Sequence, residues 1–407
     1  MRNVTRTWIR SFTTTLALAA CFIATSDKPG AARNGDTPSA PGRNERAKVA
    51  IVRTPNGGIQ PQAVMDSGEA LHLIYFSGEP GAGDVFYVRR EAGKESFSNP
   101  IRVNSQTGSV IATGTIRGAH LAVGRGGRVH VSWMGSKNAE PKGPAGATPM
   151  LYARLNDAKT AFEAQRNVLQ FAEGLDGGGS VAADNAGNVY VAWHGHGEGK
   201  GEANRRVWIT RSTDEGRTFA RETAAYKEAT GACGCCGMRA FADSRGAVHL
   251  LYRAATNMVD RDMYLLSSED KGRSFRGQRL HQWKLDVCPM SSAVLAEGSG
   301  RVLAAWETMG QVYYAGINQA ASTPVNPVSA PGEGKGRKHP AVAVNDEGET
   351  ILVWTEGMGW KKGGSLAWQV FDRSGKPTSE KGTAEGVPVW SLPTVAAVPG
   401  GGFTIIY

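Results

Sequence analysis

One spacing constrains the fold of this chain more than any other feature: a glycine placed six residues ahead of a Trp or Tyr, with mostly apolar residues between. It occurs as Gly127 to Trp133, Gly187 to Trp193, Gly246 to Tyr252, Gly300 to Trp306, Gly348 to Trp354 and Gly401 to Tyr407. A looser first copy, Gly68 to Tyr75, has one extra residue. Each copy follows a short apolar run such as 120–123, 180–183, 341–344 or 394–397, and most precede another, such as 85–89, 206–211 or 312–316. The unit reads as a strand, a tight turn, a strand ending in an aromatic, then a third strand. The closing aromatics lie 58, 60, 59, 54, 48 and 53 residues apart, the length of a four-stranded propeller blade. A lone blade cannot bury both apolar faces, so the units must stack into a ring.

The predicted fold is therefore all-β, a β-propeller of four-stranded antiparallel blades. Seven repeats argue for seven blades; a six-bladed ring with a spare hairpin is the alternative. The seventh copy stops at its second strand, and residues 48–53 are available to complete that blade. His72, His130 and His249 share one repeat slot, so they are expected to pack rather than bind, as are Tyr75 and Tyr252.

After the third strand come two matches to S-x-D-x-G-x-[ST]-F: Ser212, Asp214, Gly216, Thr218 and Phe219, then Ser268, Asp270, Gly272, Ser274 and Phe275. A decayed copy covers 157–162, and Phe97 marks the same place in the first unit. The carboxylate can accept turn amides, the glycine supplies positive φ and the aromatic plugs the hairpin into the blade. The motif resembles the Asp box, or BNR repeat, of the sialidase superfamily, and the resemblance spans 48–407. It implies structural roles for Asp214, Gly216, Phe219, Asp270, Gly272 and Phe275, on the bottom of the ring. It also implies a ligand site on the opposite, top face, where inner strands begin.

That rim should gather Gln60, Gln62, Arg117, His120, Asp176, Met238, Arg239, Asp286, Met290, Arg337, Lys338 and His339, with His194, His196, Glu307 and Glu356 following the second strands. Candidate ligand-binding residues are Arg117, Asp176, Arg239, Arg253, Asp286, Glu307 and Glu356, since guanidinium groups clamp carboxylates and glycosidases need paired carboxyls. No catalytic residue is assigned. Sialidases of this superfamily carry Arg-Ile-Pro at the first inner strand; here Ile59, Gln60 and Pro61 stand there, which argues against exo-sialidase turnover.

Of the five cysteines, the four besides Cys21 fall in two groups, Cys233, Cys235 and Cys236, and Cys288, entering adjacent blades at equivalent places. They are expected within bonding reach of one another. Three readings stay open: disulfides, a copper or zinc site, or redox chemistry. His120, His194, His196, Met238, Met290 and His339 are the possible additional metal ligands. Cys235 and Cys236 are neighbours, so at most one of them should bond Cys288.

Arg2, Arg6 and Arg10 precede an apolar stretch ending Leu18, Ala19, Ala20, Cys21, which resembles a lipoprotein signal with lipidation at Cys21. Residues 1–20 are then a signal peptide, 21–46 a flexible Pro/Gly/Ser/Arg-rich tether and 47–407 a single propeller. Losing the three leader arginines lowers the formal charge from +9 to +6, an excess that favours anionic partners. No basic helix or nucleic-acid module is present, so nucleic acid is not expected. The expectation is a monomeric exported protein of the bacterial envelope (periplasm or outer surface), lipid-anchored to a membrane. It would act on or bind extracellular glycans, or, alternatively, serve as a metal or redox propeller or an interaction scaffold.

Overall fold

The computed structural model describes residues 47–317, 326–333 and 336–407. The expected signal, Cys21 and most of the tether fall outside these residues. Among the described residues, regular structure is strand throughout, apart from four single-turn 3₁₀ segments.

Seven sheets form, six of four strands and one of three. Their inner strands, Ile59–Met65, His120–Val123, Gly179–Ala183, Arg239–Ala242, Ala293–Gly298, Lys338–Val344 and Thr394–Val398, each contact the next, and the last contacts the first. This closed ring defines blades 1 to 7 in chain order, so the repeat count is the blade count. Second strands are sandwiched between neighbouring blades and are buried along their length, as in Val129–Met134 and Val189–Gly195. The outermost strand of blade 6, Pro377–Val387, instead exposes most of its residues.

The repeat glycines sit where the chain reverses between first and second strands. Gly187 has φ 88° and Gly246 φ 84°, a region costly for residues with a Cβ. Each of these turns is also closed by an acid that the sequence reading passed over. Asp184 Oδ1 accepts from Ala186 N and Asn188 N, and Asp243 Oδ1 from Arg245 N and Ala247 N. The repeat histidines pack as expected: His72 Nδ1 lies 2.8 Å from the Tyr87 hydroxyl, His130 Nδ1 2.7 Å from that of Tyr152, and His249 Nδ1 3.0 Å from Ser267 Oγ.

Blade 7 is completed by Val49–Val52, which pairs with Gly402–Ile406 in parallel. A third blade strand normally runs antiparallel to the second. Val49–Val52 climbs with its neighbour because it must reach the top, where blade 1 begins. Arg53 locks this join, with its guanidinium 4.0 Å over the Tyr407 ring and Nη1 donating to Gly386 O at 2.6 Å.

The two S-x-D-x-G-x-[ST]-F hairpins fasten blades together. Asp214 accepts from Ser212 Oγ (2.7 Å), Thr218 N (2.9 Å) and Thr218 Oγ (2.7 Å), and Asp270 repeats the set with Ser268 and Ser274. The blade 3 hairpin then docks on blade 2: Phe219 meets the Tyr152 ring edge-on at 4.8 Å, and a Cβ at Gly216 would fall 1.9 Å from the Tyr152 hydroxyl. Glu215 N donates to Gly187 O, which puts this hairpin beside the first-to-second-strand turn, opposite the end where inner strands begin.

Candidate functional site

At the top of the central channel is a cavity of about 40 Å³, lined by Gln60, Gln62, His120, Met238, Arg239, Ser292, His339 and Thr394 among others. This holds a few waters or one carboxylate, not a sugar ring. Arg239 contributes the formal charge. Its guanidinium donates to Gln62 Oε1 at 2.5 Å, its Nε is buried with no partner, and no Asp or Glu lines the cavity. Burial pushes this arginine down to about 10. The two histidines are neutral there: burial lowers His120 well below its ordinary value and His339 to about 3. Their Nδ1 atoms meet Ser180 Oγ (2.7 Å) and Ser292 Oγ (3.1 Å). Gln60 donates to Ala112 O and Trp390 O while its Oε1 stays unpaired.

Part of the chain's backbone strain lies on this rim. Gln60, Thr115, Met290, His339 and Trp390 all have positive φ, between 46° and 64°, which costs energy for a residue with a side chain. In blades 1 and 6 the strained residue precedes a proline, Pro61 and Pro340, and the strand register shifts there. Both irregularities put the side chain, Gln60 or His339, into the cavity wall.

Three blades supply a cap. A Cβ at Gly114 would lie 2.8 Å from Arg117 Nη1, 3.1 Å from Met290 Cε and 3.1 Å from Trp360 Cζ3, so side chains from the entries to blades 2 and 5 and from blade 6 converge on one point. Arg117 is held by Asp176 through Nη2 to Oδ1 (2.6 Å) and Nε to the backbone O (2.7 Å). Trp360 is 57% exposed and packs edge-on against Trp390 at 5.7 Å. Sequence reasoning missed both tryptophans, although each lies outside the repeat's aromatic slot.

The remaining candidates lie away from the cavity. Arg253 is fully buried, donating to Ser291 Oγ, Arg261 O and Glu307 O. Glu307 is buried with its carboxyl pushed up by desolvation, accepts from His339 N and lies 3.5 Å from Lys338 Nζ. Glu356 holds Arg337 Nε and Trp354 Nε1. Asp286 and His196 are exposed, whereas Met238 packs in the blade 3–blade 4 core and reaches the cavity wall.

The cysteines converge. Cys235 and Cys288 form a disulfide with Cα atoms 6.6 Å apart, within the separation such a bond requires. Cys233 and Cys236 are free and buried, their sulfurs 2.8 Å apart, and Cys233 Sγ lies 3.5 Å from Cys235 Sγ. His194 Nε2 bonds Cys236 O at 2.8 Å, and burial lowers this histidine to about 4. Burial opposes ionisation of Cys236, but the Cys233 thiol, Arg253 and Ser291 outweigh it and bring Cys236 down to about 7, while Cys233 is pushed up. Among the described residues, the sulfurs of Cys233, Cys235 and Cys288 are the only set of three donor groups close enough to share a metal ion. No histidine joins them, and two of the three sulfurs are bonded to each other.

No family model matches the sequence, and no curated protein matches it. Solved structures share the fold. A protein of unknown function from Dyadobacter fermentans aligns with TM-score 0.52 and 13% identity, over 76% of this chain and 93% of that one. A fungal alcohol oxidase in complex with copper aligns with TM-score 0.51 and 12% identity, over 85% of this chain and 69% of that one. A Hadza microbial sialidase aligns with TM-score 0.49 and 14% identity, over 78% and 70%. At such identities the likeness is one of architecture, and this chain is a seven-bladed β-propeller.

Proposed function

We propose that this propeller binds an acidic sugar of an extracellular glycan at its top face, with the carboxylate on Arg239 and the ring above it against Trp360. The observation that carries this reading is a guanidinium in the central channel, with an unbonded Nε and no carboxylate lining its cavity. A desolvated cation of that kind attracts one planar anion more strongly than a solvated surface arginine does. The cavity admits the carboxylate alone, so the rest of the ligand meets the cap of Arg117, Met290 and Trp360. Exposed Trp faces favour stacking on sugar or other flat apolar rings. The Asp-box resemblance and the superfamily's glycan ligands agree with this reading.

Recognition is favoured over hydrolysis. Asp176 and Glu356 are committed to arginines, and no acid pair flanks the cavity as glycoside hydrolysis needs. Export and lipid anchoring at Cys21 belong to the same proposal, since the ligand is extracellular. A copper or zinc ion at the cysteines would first require reduction of Cys235–Cys288, and metal analysis of reduced protein tests it.

Calorimetric titration with N-acetylneuraminate and galacturonate, against methyl glucoside as the neutral control, tests the reading. Arg239→Met should weaken binding of the acids about 10- to 100-fold, the loss of one charged hydrogen-bonded pair. Equal binding of acidic and neutral sugars, or an unaffected Arg239→Met variant, would overturn it.

A further inference from the structure

Beyond sugar binding, we propose that the four cysteines where blade 4 meets blade 5 form a thiol–disulfide exchange site that reduces disulfides in solution. The buried Cys233–Cys236 dithiol is the reservoir, Cys235 the relay and Cys288 the solvent-facing end. The sequence places the reservoir cysteines three apart on one turn, closed by Cys236 N donating to Cys233 O, so both thiols meet with 2.8 Å between sulfurs. Each is 1% exposed, whereas Cys235 is half-buried and Cys288 exposed. The reservoir therefore has no direct route to solvent, but it touches the disulfide: Cys233 Sγ is 3.5 Å from Cys235 Sγ.

Exchange proceeds by thiolate attack on a disulfide sulfur. Cys233 sulfur attacks Cys235 Sγ, the Cys235–Cys288 bond breaks, and Cys288 leaves as a thiolate that takes up the proton Cys233 lost. Cys236 then attacks Cys233 Sγ, forming Cys233–Cys236 and releasing Cys235, which takes the second proton. One disulfide and two thiols remain throughout, so this internal transfer needs no outside oxidant. Cys288 thiolate next attacks an external disulfide, expelling one thiol. Cys235 attacks the mixed disulfide at Cys288, expels the second thiol and restores Cys235–Cys288. The net reaction oxidises the reservoir and reduces one external disulfide to two thiols.

The surroundings favour this chemistry over a simple staple. Ser291 Oγ lies 3.4 Å from Cys236 Sγ and accepts from the buried Arg253 guanidinium, a donor and a cation placed to stabilise the Cys236 thiolate, which at 2.8 Å can take the Cys233 proton and pass it on, and which is the attacker of the second step. The loop itself is fixed: Glu202 accepts from Gly234 N and Arg261 Nη1, His194 holds Cys236 O, and a Cβ at Gly177 would fall 2.4 Å from that same oxygen. A staple between blades needs Cys235 and Cys288 alone, and the adjoining dithiol takes no part in it.

The test is an alkylation time course on the native full chain with iodoacetamide and no reductant, followed by peptide mass mapping. The proposal expects label to accumulate on Cys235 and Cys288 while a Cys233–Cys236 disulfide appears in equal amount. Label on Cys233 and Cys236 with Cys235–Cys288 intact would overturn it, as would a native chain in which no cysteine is ever labelled. In a second arm, glutathione disulfide should oxidise Cys233–Cys236 in the wild-type chain. In Cys235→Ser that oxidation should be lost and glutathione should stay bound at Cys288. Oxidation of the pair in Cys235→Ser at the wild-type rate would also refute the relay.

Discussion

Replacing Asp214 by Ala isolates what the bottom hairpins contribute. The carboxylate accepts three hydrogen bonds, from Ser212 Oγ, Thr218 N and Thr218 Oγ. Burial opposes its ionisation, yet the Thr218 and Ser212 donors hold the carboxyl down to about 2. A depressed carboxyl adds stability that is complete above its unfolded value, about 4, and disappears as pH falls toward 2. Because the group faces largely to solvent, screening reduces this ionic part to about 1 kcal/mol or less. The bonds lost to Ala include a backbone donor that must find water, and the hairpin they shape carries Phe219 and Gly216 onto Tyr152 of the next blade. Together these give a loss of about 1–3 kcal/mol, with Asp214→Asn losing roughly half as much because it keeps one acceptor. Urea unfolding followed by tryptophan fluorescence reads the midpoint at pH 7 and pH 3, and the gap between wild type and Asp214→Ala should narrow at the lower pH. Sugar binding by the folded variant should be intact, since this hairpin lies at the far end of the blades. An unmoved midpoint, or lost binding at an unmoved midpoint, would refute the reasoning.

Three other outcomes are expected. Burial holds His130 and His339 to about 3 and His194 to about 4. The unfolded chain takes up protons near pH 6.5 that the fold excludes, so stability should be complete above that pH and fall as pH drops toward 4, by up to about 1.4 kcal/mol per unit for each histidine; equal urea midpoints at pH 7.5 and 5 would contradict this. Gly216→Ala should destabilise more than Gly300→Ala, because both have positive φ but only the first meets a neighbour, the Tyr152 hydroxyl, while Gly300 faces open space; thermal melts compare them, and Tyr152→Phe should recover part of the first loss. Trp360→Ala should leave the melting temperature unchanged and weaken acidic-sugar binding, both read on the same preparation.

The ring was legible because its code is local and repeated. Turn glycine and buried aromatic recur in every unit and the blade-fastening hairpin in two of them, so each copy corroborates the others, and the contact among the cysteines followed from their equivalent places in adjacent blades. What repeats could not carry was less legible. The parallel pairing of Val49–Val52 depends on where the chain must go next, not on its own residues. Loops over the channel differ from blade to blade, so Trp360 and Trp390 had no repeat to flag them. Arg253, a clamp candidate by residue type, sits beneath the rim and spends its guanidinium on Ser291, Arg261 and Glu307. The orphaned Nε of Arg239 depends on what its neighbours leave unfilled, which only three-dimensional packing decides.

The central claim is that the Arg239 cavity is a carboxylate receptor, and a crystal structure of the propeller with bound galacturonate or N-acetylneuraminate tests it most directly. The account predicts density for the carboxylate within hydrogen-bonding distance of Arg239 Nε, with the sugar ring against Trp360 and the Arg117–Met290 cap moved to admit it. A sugar bound elsewhere, with water alone on Arg239 and the cap in place, would contradict it.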